Sequence, residues 1–352
     1  MNDGKELETD MTDQGKTEQG ISRPGKPPLI VIAGPTASGK SELAAELGRR
    51  IGGEVVSADS MQVYRYMDIG SAKVTLEEML GVPHHMIDVV DPKEAMDVAR
   101  YAEMATACIR DILHRGKLPI LCGGTGFYIQ AVTRQIDFED TEADSGRRKE
   151  LERLAEEKGN DFLHEMLARI DPASAEAIHP NNRKRTIRAI EYYEETGTRI
   201  SDHNEREKER ESPYDLAFFV ISDDRKVLYD RIDRRVDFMM EAGLADEVRY
   251  LRAMGLTKQD VSMQGIGYKE ILSALDGEMS LDEAVRIIKR DSRRYAKRQI
   301  TWFKREKDAI WLDRRDFGED TFRILSEIMR VLAHKNIIPA NENITIQRPL
   351  ET

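Results

Sequence analysis

From residue 29 onward the chain alternates short apolar runs with longer segments of helical period. The runs at 29–33, 54–57, 85–90 and 118–122 are of strand length and mostly apolar, which predicts buried strands. Segments 41–51, 95–115 and 127–133 repeat their apolar residues at three- and four-residue spacing and predict helices between or after them. Strands covered on both faces and linked by helices require parallel βαβ units, so the expected class is α/β, a parallel sheet flanked by helices.

Residues 136–213 break this pattern. Segments 150–158, 162–170 and 186–195 are charged, amphipathic and helix-like, and no buried strand separates them. They predict a mainly helical insertion domain. A buried-strand run returns at 217–221 and another follows at 310–312, with helices expected at 227–240, 244–253, 268–275 and 280–307. The core is therefore expected to comprise 28–135 and 214–334. Residues 1–27 hold too few large apolar side chains to offset the entropy of ordering them and are expected to be a disordered tail. The polar stretch 335–352 is expected to fray.

Composition narrows the function. The chain of 352 residues carries 54 basic and 65 acidic side chains, for a net charge of −11, which excludes a globally basic binder but not a local basic patch. No apolar run approaches the roughly 20 residues that span a bilayer. Cys108 and Cys122 can build neither a disulfide framework nor a four-ligand zinc site. The acidic N-terminus has no apolar targeting core, so a cytoplasmic protein with no membrane partner is expected. His84-His85 resembles a metal pair, yet neighbours on a strand face opposite ways, which favours a structural role.

The strongest chemical signal is Gly34-Pro35-Thr36-Ala37-Ser38-Gly39-Lys40-Ser41, which fits G-x-x-x-x-G-K-[ST] directly between a strand and a helix. Such a loop turns backbone N–H groups toward an anion at a helix N-terminus. Lys40 supplies a mobile cation, and the Ser41 hydroxyl can ligate Mg²⁺ bridging two phosphates. The sheet is thus expected to be P-loop NTPase-like, holding a nucleoside triphosphate or another diphosphate. Ligands of open α/β sheets bind beyond the strand ends, where Asp59 and Thr125 are also delivered. Asp59 can be a general base, a magnesium partner or a helix cap. Thr125, in a Gly-rich turn, can hydrogen-bond an anion or only shape the turn.

Two basic segments stand out. Residues 289–307 hold nine basic side chains against Asp291 and Glu306, a net +7. Arg183, Lys184, Arg185 and Arg188 open a helix of the insertion. Their surplus in an acidic protein fits a nucleic-acid backbone. They are expected to position phosphates more than to read bases.

Seven motifs occur in order: GPTASGKS at 34–41, ADSMQVYRYMDIGSAK at 58–73, PHHMIDVVDP at 83–92, GGTGFYIQAV at 123–132, HPNNRKRTIRAIE at 179–191, QGIGYKE at 264–270 and AKRQITWFK at 296–304. Over residues 30–313 the chain resembles the tRNA dimethylallyltransferase (tRNA isopentenyltransferase) family. The resemblance implies transfer of a dimethylallyl group from dimethylallyl diphosphate to the exocyclic amine of the adenosine immediately 3′ of the anticodon. Asp59 would be the base, while Lys40, Ser41, the loop amides and Thr125 would hold the diphosphate and its Mg²⁺. Arg231 and Arg235 are both candidates for a further diphosphate contact. Segments matching tRNA contacts are Asp59, Ser60, Met61 and Gln62, then Lys184, Arg185, Thr186, Ile187 and Arg188. Gln264, Gly265, Ile266, Gly267, Tyr268 and Lys269 form a third, and Lys297, Arg298, Gln299 and Lys304 a fourth. The chain has no cysteines for the C-terminal zinc finger of eukaryotic members, so a bacterial-type enzyme, acting as a monomer, is expected. A P-loop small-molecule kinase and an RNA-binding nucleotide switch are the rival readings, and the basic tracts argue against the first.

Overall fold

The computed structural model describes residues 25–136 and 146–340. Strands β1 (Pro28–Ala33), β2 (Glu54–Ala58), β3 (His84–His85), β4 (Pro119–Gly123), β5 (Asp215–Ser222) and β6 (Ile310–Asp313) form one parallel sheet in the order β3-β2-β4-β1-β5-β6. The helices are α1 (Lys40–Ile51), α2 (Val98–His114), α3 (Gly126–Arg134), α4 (Gly146–Lys158), α5 (Asn160–Ile170), α6 (Pro172–Ala177) and α7 (Arg183–Thr196). They continue as α8 (Ile200–Glu209), α9 (Arg225–Glu241), α10 (Leu244–Ala253), α11 (Tyr268–Leu275), α12 (Leu281–Phe303) and α13 (Thr321–His334).

The continuous apolar character of β1 follows from burial on both faces. Leu29, Val31 and Ala33 face a core shared with Tyr101, Ile109 and Ile112 of α2, Ile271 of α11 and Phe303 of α12. Ile30 and Ile32 point the other way, among Leu43 and Leu47 of α1 and Ile324, Ile328 and Leu332 of α13. Alternate side chains of one strand thus anchor two helical layers.

Helices α4 to α8 contain a third core of their own, built on Leu151, Leu163, Leu167, Ile187 and Ile190. Among the described residues of 136–213 there is no strand, as the sequence pattern predicts. Three expectations change. The strand expected at 85–90 shrinks to His84–His85, because Met86 and Asp88 take φ of 63° and 55° and break the pleat. Helix α13 carries a clear apolar stripe that the sequence reading leaves unassigned. Ile337 and Ile338 are buried beside it, so the chain does not fray from residue 335. Most of the expected tails, residues 1–24 and 341–352, lie outside the described residues.

Glu54 opens β2 as a buried carboxylate that accepts hydrogen bonds from Arg115 and Lys117 and meets His85 Nε2 at 2.8 Å. This gives the His pair a structural use. Arg115 first, then Lys117 and His85, hold the Glu54 carboxyl well below the usual carboxylate range, against the opposing effect of burial. A depressed folded-state pKa contributes stability above the unfolded value of about 4.3, and that contribution is lost as pH falls toward the folded value. Glu54→Gln is expected to lower unfolding free energy by about 2–3 kcal/mol at neutral pH, the low side of a broken buried pair because its partners keep some solvent. Urea titrations at pH 7 and pH 3.5 check this: the gap between variant and parent should shrink at the acid pH, and a constant gap would contradict it.

Candidate active site

The phosphate loop leaves β1 at Gly34 and enters α1 at Lys40. At Gly34 a Cβ would lie 2.6 Å from the Ile221 carbonyl oxygen, so only glycine lets the loop pass β5 this closely. Gly39 has φ 82° and would meet Arg314 Nη1 at 2.8 Å, while Arg314 donates to the Ser38 carbonyl at 3.3 Å and braces the loop from behind. Ala37, at φ 62°, adds a left-handed turn that curls the backbone in the manner of an anion-binding nest. Ser38 Oγ is fully buried and, among the described residues, is the buried side-chain polar atom with no protein hydrogen-bond partner. Such a hydroxyl is costly to bury unless a ligand oxygen accepts its proton.

Lys40 Nζ donates to the Pro35 carbonyl at 3.3 Å across the loop. It reaches the cavity yet is ringed by protein, and this desolvation holds its pKa below the ordinary lysine value. Cys122 and Asp59 oppose the shift and Arg235 adds to it. Cys122 itself is buried, its thiol pushed up to about 12 by burial, and it donates to the Lys40 carbonyl at 3.6 Å. It packs rather than reacts.

Asp59 follows β2 and closes an Asx turn: its Oδ1 accepts from the Met61 and Gln62 amides at 2.8 and 3.3 Å. Its other oxygen is thereby aimed by a rigid turn. Thr125 caps α3 and its Oγ1 accepts from the Ser60 amide at 3.1 Å, tying the β4 turn to the Asp59 turn. The Gln299 side chain joins the same structure to the phosphate loop. Its Oε1 accepts from the Thr36 amide and its Nε2 donates to the Gly124 carbonyl, each at 2.9 Å. Tyr295, one turn earlier on α12, stands beside Thr125 and Gln299, and burial followed by the Asp59 charge pushes its phenol up to about 12.

Lys40, Asp59, Tyr295 and Gln299 line one cavity of about 460 Å³, whereas Thr125 and Ser38 stand behind its wall. It is lined by Thr36, Lys40, Ser41, Asp59, Ser60, Met61 and Gln62, by Gln264 to Gly267 and Lys269, and by Arg235, Tyr295, Arg298 and Gln299. Three of the four sequence segments singled out above therefore converge on the phosphate loop. The two arginines are distinguished. Arg235 is on the cavity wall with Nη1 3.4 Å from Thr36 Oγ1, whereas Arg231 is engaged by Asp223 at 2.6 Å and Glu319 at 2.7 Å and does not line the cavity. Gln299, Tyr268 and Gly267 are buried, as are Thr186 and Ile187 of α7, so Gln264, Lys184, Arg185, Lys297, Arg298 and Lys304 are the outward-facing members of their segments.

Residues without any sequence signal complete the frame. The Glu247 carboxylate on α10 accepts from the amides of Asp68, Ile69 and Gly70 at 2.9, 2.7 and 3.0 Å, and from the Tyr268 hydroxyl at 2.8 Å. It fixes the loop that carries the Met61–Gln62 wall. The donor set also fits Mg²⁺. Ser41 and Asp59 both offer oxygen to the cavity. That combination suits an ion that takes one or two protein oxygens and completes its shell with phosphate and water.

On α12 the basic surplus is partly cancelled from outside its own sequence. Lys289 and Arg293 pair with Asp237 and Asp233 of α9, and Arg290 and Arg294 share Asp291. Lys297, Arg298, Lys304 and Arg305 are exposed, and of these Arg298 lines the cavity. The net basic charge of this stretch is thus concentrated in its second half.

A model of the IPP transferase family matches residues 62–306. A protein of Lachnoclostridium phytofermentans called tRNA dimethylallyltransferase is 53% identical over 311 residues, covering 88% of this chain and 99% of that one. The crystal structure of the full-length tRNA isopentenylpyrophosphate transferase from Bacillus halodurans is 46% identical, with TM-score 0.66, covering 89% of this chain and 99% of that one. A eukaryotic dimethylallyltransferase captured acting on tRNA is 31% identical with TM-score 0.73, over 88% of this chain and 79% of that one.

Proposed function

Because the chain belongs to the IPP transferase family, we propose that it transfers a dimethylallyl group from dimethylallyl diphosphate to N6 of the adenosine immediately 3′ of the anticodon in tRNA. The observation that carries this reading is the convergence of Asp59, a phosphate loop and a basic rim on one cavity. The diphosphate lies against the loop amides and Lys40, with Arg235 and Thr36 beside it. Val236, Met239 and Ile288 give the cavity an apolar wall for the prenyl group.

The allylic C–O bond breaks toward the diphosphate, and its ease depends on how well the leaving group's charge is met. Lys40, Arg235 and the loop amides provide fixed positive charge and dipoles there. Mg²⁺, held by Ser41 and the phosphates, would add Lewis-acid neutralisation of the same charge. The adenine amine is a weak nucleophile because its lone pair is delocalised into the ring. As the new C–N bond forms, the Asp59 carboxylate takes the amine proton. Reaching a carboxylate set in the cavity wall requires the base to leave the anticodon-loop stack, and a surface that grips the backbone offsets part of the unstacking.

The direct test is mass spectrometry of nucleosides from unmodified tRNA incubated with the protein, Mg²⁺ and dimethylallyl diphosphate without ATP. Adenosine heavier by one prenyl group supports the reading. No such product, with ATP consumed in a parallel reaction, would support phosphoryl transfer instead.

The rim makes a separate prediction. Lys297→Ala with Arg298→Ala is expected to weaken tRNA binding and to flatten its log K versus log salt slope by roughly 1.4–1.8, the value for two lost phosphate contacts. Donor affinity should hold, and equal losses of donor and tRNA affinity would contradict a backbone-contacting role.

A further inference from the structure

Two stretches of the cavity wall, 59–74 and 261–269, are far apart in sequence. Glu247 joins them. It shares the face of α10 that carries buried Leu244 and Leu251, so its backbone is anchored in the main core. Its Oε2 accepts from the successive amides of Asp68 and Ile69, and its Oε1 accepts from the Gly70 amide and the Tyr268 hydroxyl. Three consecutive N–H groups gather around one anion as in a backbone nest, and here the anion is the protein's own carboxylate. Tyr66 and Ala72 bracket these amides with φ of 65° and 48°, a left-handed conformation that a residue with a side chain keeps only where its surroundings enforce it.

From this knot, contacts run in two directions to the site. Two residues past Gly70, the Ala72 carbonyl accepts from Gln62 Nε2 at 3.2 Å, and the Gln62 amide is one of the two that hold Asp59 Oδ1. On the other side, the buried Tyr268 ring lies against Gly70, where a Cβ would stand 2.6 Å from Tyr268 Cζ. Three residues before Tyr268, Gly265 packs against Met61, its Cβ position 2.5 Å from Met61 Cε. Burial, followed by the Glu247 charge, raises the Tyr268 phenol well above its ordinary pKa, so it remains a donor. The Asp59 turn and the 264–267 wall therefore meet at the cavity through Met61 and behind it through Glu247.

We infer that Glu247, with Tyr268 as its second anchor, is a positioning residue for the transfer reaction. It locks the Asp59 turn and the 264–267 wall at a fixed separation, so that the pocket for the target base is formed before RNA arrives. The inference rests on the tRNA reading above. Neither side chain lines the cavity, so both act through the walls they hold. A wall fixed in advance removes the cost of ordering it when RNA binds. It also keeps the carboxylate in line with the amine, where a misplacement of about 1 Å costs about 10²-fold in rate. The effect is confined to the base side of the cavity, because the phosphate loop, Lys40 and Arg235 hold the donor.

The test compares the full-length protein with Glu247→Gln and Tyr268→Phe, on an anticodon stem–loop RNA and on the same RNA made abasic at the target position. In Glu247→Gln the side-chain NH₂ faces backbone N–H groups, donor against donor, and the single-turnover rate at saturating RNA is expected to fall by about 10²-fold. Tyr268→Phe keeps the ring against Gly70 and the three amide bonds to Glu247, so it is expected to fold and to lose rate by less. Affinity for the intact stem–loop should fall in both variants, while affinity for the abasic one and for an unreactive diphosphate analogue should hold. A merely structural role would weaken all three together, and that result, or a parental rate in either variant, would overturn the positioning role. Prenylation of the intact RNA by the parent protein is followed in parallel. Its absence would overturn the proposed reaction, whereas prenylation by the parent beside unslowed variants would overturn the positioning role alone.

Discussion

Replacing Asp59 by asparagine is expected to slow prenyl transfer by about 10²–10⁴-fold, the usual contribution of a positioned general base. The substitution is selective. Asparagine keeps an Oδ1 acceptor for the Met61 and Gln62 amides, which Asp59 engages at 2.8 and 3.3 Å, so the turn survives while the charge is lost. Donor affinity should be unchanged or tighter, because the Asp59 charge acts on both Lys40 and Arg235 and its removal leaves their positive charge less compensated. tRNA binding should persist. Single-turnover rates for Asp59→Asn and Asp59→Ala, with filter-binding affinities for tRNA, test this. An asparagine variant that reacts at the parental rate beside a dead alanine variant would show that the turn, not proton transfer, is the role of this residue.

The parts of this site that were legible in sequence are those in which one short segment sets both backbone and chemistry. The run from Gly34 to Ser41 is strand, loop and helix start in succession, so its phosphate-cradling role could be read directly. The parallel sheet was legible for the same reason, since strands buried on both faces show as unbroken apolar runs.

What was not legible depends on long-range pairing. Gln299 bonds partners 263 and 175 residues away, and in sequence it is one polar residue in a basic helix. Glu247 serves backbone amides nearly as distant, and nothing marks its helix position as special. The acids that neutralise Lys289 and Arg293 come from α9, so the +7 of the linear stretch overstated the charge presented by its first half. The left-handed Met86 and Asp88 ended β3 early without a glycine to announce it. Arg231 and Arg235 are one helical turn apart, and only the facing carboxylates of Asp223 and Glu319 separate their surroundings.

Lys40 supports the second large effect. Lys40→Met keeps the length of the side chain and removes its charge, and is expected to lower the transfer rate by about 10²–10³-fold, comparable to losing one preorganised donor at a developing anion. The pH dependence is more specific. Desolvation holds the Lys40 ammonium below the ordinary lysine pKa, and the protonated form is the one that binds diphosphate. Donor affinity should therefore decline as pH rises through that lowered value, earlier than for an exposed lysine near 10.4. The donor's own phosphate ionisation falls near pH 6 and shapes only the acid side. In Lys40→Arg the guanidinium stays charged throughout, so the alkaline decline should vanish, although a bulkier head in a tight loop lowers affinity overall. Titrating an unreactive diphosphate analogue between pH 7 and 10 against all three proteins separates these effects. If the decline persists in Lys40→Arg, another group governs it, and Lys40 is not the cation that meets the leaving diphosphate.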